Sequence, residues 1–432
     1  MKPRTDSFII KMLILAAISV ALAAASFLKF NYINYNQISI GYLLIMALAA
    51  ITAVRSSIYL AKKYKLDQGL NVFMVYRELI DQLMDVGCYI PTYNPCIVRL
   101  PQVRIDMDEE GLRGKIWIRN NLKYQSTLNS DISMAFSKYN VDSHYLSDDS
   151  NWYIFDLVRA DYEKQFQFHS LHSFYRKNFG TSPYELLIDK DLSYVLCHTL
   201  ICGQTGAGKS YATYSIVLQL LYKNADIFFV DPKNSGLSIM GDHIAPHQTA
   251  VTIDEIYEVL VSFSECLRAR NKELTNRLHD RLDGDYMSFN WTPKVLIFEE
   301  FGAFQAALSG RDKKYRDEVN AMVEQIVLLG RQSGCFLILI AQQVSAQTLP
   351  TKIRDNIPAK FLLARGLEKE TSTCCFGATD AAELQSKIYR PGEAYYKIAG
   401  INSVPKLCTF PLLDFDIDDA INTCLGSSRR RR

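Results

Sequence analysis

Two apolar runs open the chain, Met12–Leu28 and Ile38–Val54. Each reaches the lower end of the roughly 17–25 residues that carry a helix across a bilayer. Phe8–Ile10 and Ile58–Leu60 can lengthen them, and Lys29–Gln37 between them is a short, polar, tyrosine-rich turn. A cleaved secretory leader accounts for one such run but not for two in tandem. The pattern therefore predicts a transmembrane helical hairpin over residues 1–61, with a pair of buried core helices as the other arrangement it allows. Lys2, Arg4 and Lys11 precede the first run, and Arg55, Lys62, Lys63 and Lys65 follow the second, against Lys29 alone in the turn. Positive charge collects on the cytoplasmic side. The expectation is a cell-membrane protein with two spans, both termini and the rest of the chain cytoplasmic.

The pattern then changes. Lys62 to about Asp85 carries helical apolar spacing at Leu70, Phe73, Met74, Leu79 and Leu83. Beyond it lie short alternating segments, Cys96–Ile105, Gly114–Ile118 and Trp152–Val158, with Ser130–Tyr139 reading as a helix. Residues 62–185 are expected to form a juxtamembrane helix and a small α+β domain.

From residue 186 to 426 buried-type strands alternate with amphipathic helices, the α/β pattern of a parallel sheet with helices on both faces. The strands fall at Tyr194–Cys202, Ile227–Val230, Lys294–Phe298, Cys335–Ile340 and Ala359–Leu363; the long helices are expected at about 253–283 and 317–329. Residues 427–432 end in four arginines, a basic tail able to touch DNA or anionic lipid, or equally a solvated end without function.

Composition changes this picture little. The 432 residues are 48% hydrophobic and 22% charged, as in ordinary globular proteins, and the net charge of +2 denies the chain a strong overall field for attracting nucleic acid. Ten cysteines show no Cys-x-x-Cys spacing, which favours reduced core thiols over a disulfide framework. His169/His172 and His243/His247 lack the further ligands a metal site needs.

Candidate chemistry centres on Gly203-Gln204-Thr205-Gly206-Ala207-Gly208-Lys209-Ser210, followed by Tyr211. Glycines let successive backbone N–H groups close around phosphate oxygens, Lys209 can neutralise the β- and γ-phosphates, and the Ser210 hydroxyl can bind Mg²⁺. A strand leads in and a helix with Tyr214, Val217, Leu218, Leu220 and Leu221 on one face leads out, so the set is read as an ATP-binding loop. The strand at 294–298 ends in Glu299-Glu300. The first carboxylate suits the Mg²⁺ shell and the second suits the polarisation of an attacking water; a helix start, where acids are favoured, is the alternative. Gln342, at the tip of the next strand, can hydrogen-bond the γ-phosphate or that water. Gly310–Arg316, with Arg311, Lys313, Lys314 and Arg316, reads as a basic loop or as solvated surface.

Five motifs in order carry a resemblance: the phosphate loop, Asp231-Pro232-Lys233, Glu299-Glu300, Gly330-Arg331 through Gln342, and Ile353 through Pro358. Together with Pro391–Tyr395 they resemble the motor of FtsK/SpoIIIE-type DNA translocases over roughly 190–400. The resemblance implies a RecA-like P-loop core, assembled as a homo-hexameric ring around DNA, hydrolysing ATP with Mg²⁺. It makes Arg331 the candidate for an arginine reaching a neighbour's γ-phosphate, a helix C-terminal cation being the alternative, with Arg365 in reserve and Lys233 supporting the nucleotide or the ring interface. With two expected spans and little chain beyond the motor, the sequence looks most like the short membrane-anchored coupling proteins of Gram-positive conjugative elements. That likeness implies a relaxase–DNA complex and secretion-channel proteins as partners. A segregation DNA pump and a type VII protein-secretion ATPase are the alternatives.

Overall fold

The computed structural model describes Ile18, Ala21 and residues 40–93, 98–121, 136–279, 283–345, 348–382, 384 and 389–429. The chain divides into two compact units, residues 1–162 and 163–432.

In the first unit a helix spans Ile40–Lys63, which takes in the second apolar run from Ile40 onward. The first run lies outside the described residues apart from Ile18 and Ala21. Among the described residues no helix is long and apolar enough to cross a membrane, so the expected hairpin finds no support there. Nor does one helix continue from 62 to 85. Lys65 (φ 57°) and Gly69 (φ 110°) both leave the right-handed helical region around a single 3₁₀ turn at Leu66–Gln68. A new helix then runs over Leu70–Asp85. Glycine is a poor helix-interior residue, by about 1 kcal/mol relative to alanine, and here it marks the break. The new helix buries Val72, Val75, Leu79 and Leu83, a face rotated from the expected one, since Leu70 is exposed. It packs on a four-stranded antiparallel sheet, ordered Val103–Met107, Arg113–Arg119, Trp152–Arg159, Tyr139–Leu146, through Ile105, Ile116, Ile118, Phe155 and Leu157. Of the helix expected at 130–139, residues 130–135 lie outside the described residues, and Tyr139 opens a strand.

The second unit is built on an eight-stranded sheet. Its strands are β1 (Thr199–Cys202), β2 (Asp226–Val230), β3 (Thr249–Ala250), β4 (Lys294–Glu299), β5 (Cys335–Ala341), β6 (Ala359–Leu363), β7 (Glu393–Ile398) and β8 (Lys406–Thr409). They lie in the order β3-β2-β4-β5-β1-β6-β7-β8. The first six are parallel. The last two run antiparallel, so the expected parallel sheet is a mixed one. A short turn suffices between antiparallel neighbours, whereas a parallel pair needs a crossover.

Alternate residues along the strands serve opposite faces. On one face Ile201, Phe229, Ile297, Ile338 and Phe361 meet Ala212, Ile216 and Val217 of helix α1 (Lys209–Tyr222). On the other, Leu200, Phe228, Leu296 and Leu337 meet helix α2 (Ile253–Leu278), through Leu260 and Phe263, and helix α3 (Lys313–Ser333), through Val323 and Ile326. Each such fully buried side chain contributes roughly 1.5–3 kcal/mol. A Thr252/Glu255 capping box starts α2.

Residues 163–195 belong to this unit, which places the division earlier than the expected 185/186. The buried Gln219 side chain of α1 accepts from Leu187 N at 2.8 Å and donates to Leu187 O at 2.9 Å. Asp189 accepts from Thr409 N at 2.9 Å, and Gln167–Phe168 pairs with Leu412–Leu413. The basic segment 310–316 is loop only through Asp312. Asp312 caps α3 by accepting from Tyr315 N at 3.0 Å, which places Lys313, Lys314 and Arg316 in the helix's first turn. Arg311 pairs with Asp254 at 2.8 Å and Arg316 donates to Ser309 O at 3.0 Å. The basic tail begins inside a helix, Ile417–Arg429, and residues 430–432 lie outside the described ones.

Candidate active site

All the candidate chemistry except Arg331 gathers at one edge of the sheet, where the parallel strands end. β1 runs into the phosphate loop, and its Gly208 caps α1 at φ 104° while Gly206 stands at φ 79°. A Cβ on Gly208 would lie 2.7 Å from Gly392 N, whose N–H donates to Ala207 O at 2.8 Å. The Pro391-Gly392 turn before β7 is thus the floor of the loop. Only glycine at 208 satisfies both the left-handed backbone and this close approach. Thr205, Gly206, Ser210 and Tyr211 are exposed, and the Tyr211 ring lies 6.0 Å from that of Tyr214. The half of the loop that would face a phosphate is open, and glycines line it where side chains would obstruct.

Lys209 is buried and its ammonium turns back on the loop, donating to Gly203 O at 2.5 Å and Gln204 O at 3.2 Å. Burial lowers its pKa, while Glu300 and Glu299 act in the opposite direction. One cation therefore already faces both carboxylates across the site.

Those carboxylates come from the end of β4. Glu300 adopts φ 53°, ψ 47°, a left-handed conformation that is uncommon outside glycine, and its N–H donates to Ile340 O at 2.7 Å. This turn lets β4 pass directly into the helix Phe301–Leu308. Glu300 Oε2 lies 3.1 Å from Lys233 Nζ. Burial, then the Asp231 and Glu300 carboxylates, push the Glu299 carboxyl up to about 7. Asp231 itself is fully buried and accepts from Ser235 N (2.6 Å), Ser235 Oγ (2.8 Å), Ser238 N (3.1 Å) and Lys233 N (3.1 Å). It folds the turn after β2 so that Lys233 reaches Glu300.

Strand register places Gln342. Glu299 pairs with Ile340 and Cys202 with Ala341, and Gly203 N donates to Ala341 O at 3.2 Å. Gln342 therefore follows β5 between the acidic pair and the phosphate loop. Such a set can hold a triphosphate by its oxygens, neutralise it, and keep a carboxylate and a carboxamide beside it.

Arg331 lies elsewhere. It is exposed near the C-terminus of α3, and its charge acts on Cys197 and His198 just before β1, at the opposite edge of the sheet. Arg365, the reserve, is exposed and donates to Gly206 O of its own chain's loop at 3.2 Å. Glu368 escaped the sequence reading. Its Oε1 accepts from Gln204 Nε2 at 2.8 Å and Gln343 Nε2 at 3.0 Å, tying the phosphate loop to the segment after β5. Gln204 fits there because a Cβ on Gly366 would lie 2.1 Å from its Oε1. Gln204 and Glu368 stand 164 positions apart, and no spacing in the sequence marks the pair.

The family model described as "Helicase HerA, central domain" matches residues 181–273. An FtsK domain-containing protein of Bacillus subtilis (strain 168), YdcQ, is 30% identical over 210 residues, covering 48% of this chain and 42% of that protein. DNA translocase FtsK of Campylobacter jejuni (strain 81-176) is 24% identical over 266 residues, covering 56% of this chain and 26% of its own length. The chain thus spans less than half the length of these curated relatives. In fold it is similar to the pCW3 conjugation coupling protein TcpA in monomer form with ATPγS, with a TM-score of 0.52 at 16% identity, covering 82% of this chain and 98% of that one. The chain carries a P-loop domain of the HerA/FtsK type.

Proposed function

We propose that this protein is an ATP-driven DNA translocase working as a homo-oligomeric ring, and that it serves as the membrane-anchored coupling protein of a conjugative transfer system. The observation that carries the motor reading is the common level of Lys209, Glu300 and Gln342 at the ends of β1, β4 and β5. Residues 203–211 hold the nucleotide; Ser210 and Glu299 would hold Mg²⁺, which would supply charge neutralisation and polarisation at the phosphate oxygens. Lys209 releases the loop carbonyls to take a phosphate oxygen. Glu300 accepts the proton of the attacking water at its carboxylate, and Gln342 orients that water. Arg331, which does not meet its own loop, serves a neighbouring subunit's in this reading. Stabilisation of transition-state charge by such an arginine contributes about 10³–10⁵ in rate.

The coupling role and the anchor rest on the likeness of fold to TcpA and on the two apolar runs with their flanking cations. A relaxase–DNA complex and secretion-channel proteins would be the partners. The test is ATPase activity of the purified full-length chain with and without DNA. Turnover should rise with DNA of any sequence and the stimulation should fall steeply with salt, as phosphate contacts require. Turnover indifferent to DNA would remove the translocase reading.

A further inference from the structure

The sheet of the first unit turns one face to its helix and the other away from it. On the outward face Arg104, Lys115 and Arg119 are exposed, and Trp117, Tyr145 and Trp152 lie among them half-buried. Register interleaves the two kinds of side chain: Arg104 is opposite Trp117, Arg119 opposite Trp152, and Trp117 opposite Ile154. The Arg104 and Arg119 guanidinium groups sit over the Trp152 ring, 4.5 and 5.4 Å from its centroid. Arg113 adds a fourth cation to the same face. The acids among them are Asp106 and Asp156; Asp156 is buried, accepts from Ser143 at 2.8 Å and pairs with Lys115 at 3.5 Å. Two of the chain's three tryptophans therefore lie in a cationic layer on an open sheet, in a protein whose net charge is only +2.

Structural duty does not account for this composition. The core on the inner face is already supplied by Ile105, Ile116, Ile118, Phe155 and Leu157. Half-buried tryptophans interleaved with arginines on an outward sheet face suit a surface that a partner covers. We propose that this outward face binds single-stranded nucleic acid, with Arg104, Lys115 and Arg119 on the phosphates and Trp117 and Trp152 under unpaired bases. Flat aromatic faces stack any base, and guanidinium planes extend the platform. A duplex keeps its bases stacked inside and offers this sheet only phosphates. An anionic membrane would use the arginines without needing bases.

The test uses the full-length chain and a fluorescein-labelled oligodeoxythymidylate. Binding should quench tryptophan emission. The quench should persist in Trp291→Phe, whose altered residue lies in the second unit, and vanish in Trp117→Phe/Trp152→Phe, which keeps the rings. Arg104→Gln/Arg119→Gln, an exposed pair not needed for the core, should weaken binding about tenfold or more and flatten the salt slope by about 1.4. ATP turnover without DNA should be unchanged in that variant. Loss of the quench with Trp291→Phe, wild-type affinity in the double arginine variant, or equal affinity for duplex would overturn the proposal. So would binding to phosphatidylserine vesicles with no response to the oligonucleotide. DNA-stimulated turnover with no quench would sink this site while leaving the motor reading intact.

Discussion

Lys233 Nζ lies 3.1 Å from Glu300 Oε2, joining the turn after β2 to the turn after β4. Lys233 is 43% exposed, so the pair adds little to stability; exposed ion pairs are worth about 0–1 kcal/mol. Its effect is on where the Glu300 carboxylate points. Lys233→Gln should leave the melting temperature within a few degrees of wild type yet lower kcat about tenfold with KM unchanged. Steady-state kinetics beside a thermal melt decide it, and an unchanged kcat would deny Lys233 a positioning role.

Glu300→Gln should bind nucleotide normally and lose turnover by about 10²–10⁴, the usual contribution of a positioned general base. Lys209→Ala should lose turnover as well, with the fold kept, because its ammonium contacts only loop carbonyls. Circular dichroism and single-turnover hydrolysis separate the two effects. Wild-type hydrolysis by either folded variant would refute the assignment.

Gly208→Ala should abolish nucleotide binding and destabilise the loop by about 1–3 kcal/mol, the scale of strain for a side chain forced into a left-handed turn. The new Cβ would also meet Gly392 N at 2.7 Å. Gly310→Ala, whose Cβ would lie 3.5 Å from the nearest atom, is the control and should be silent. A nucleotide titration followed by fluorescence reads both.

One buried and one half-buried group pull the pH dependence of stability in opposite directions. Burial, assisted by Arg331, brings His198 down to about 4. Between that value and an ordinary histidine pKa near 6.5 the unfolded chain binds more protons, so this residue's contribution to stability rises with pH. Glu299, raised to about 7, binds its proton in the folded state above its ordinary range, so its contribution falls from about 4.5 to 7. Relative to wild type, His198→Gln should tilt stability downward with rising pH and Glu299→Gln should tilt it upward, each on the order of 1–3 kcal/mol across the window. Denaturant midpoints from pH 4.5 to 7 measure this, and equal slopes in the two variants would contradict it.

Mixing Arg331→Ala with Lys209→Ala subunits should restore part of the turnover that each lacks alone. In a ring some interfaces then join an intact loop to an intact arginine. If Arg331→Ala alone keeps full turnover, the trans role fails. Arg365, which donates to its own Gly206 carbonyl, is then the next arginine to substitute.

Local order alone made much of the second unit legible. Gly206 and Gly208 before Lys209, and the strand before Glu299-Glu300, are set by backbone freedom and by apolar runs of strand length, which neighbours in sequence express. The structure places Gln342 between them because β5 pairs with both β1 and β4, a fact of register. What sequence could not reveal came from pairings across long separations. Gly392 became the floor of the phosphate loop, Glu368 joined Gln204 to Gln343, and Arg365 came to the Gly206 carbonyl. The helix break at Lys65–Gly69 and the helical state of Lys313–Arg316 went unread because caps and positive-φ residues are short-range choices that apolar spacing does not encode. The aromatic–cation face of the first unit was present as residues but invisible as a surface. Only antiparallel pairing sets Arg104 and Arg119 over Trp152. Apolar periodicity and backbone freedom act between near neighbours and can be read along the chain, whereas which distant side chains share an edge or a face is decided when the strands pair.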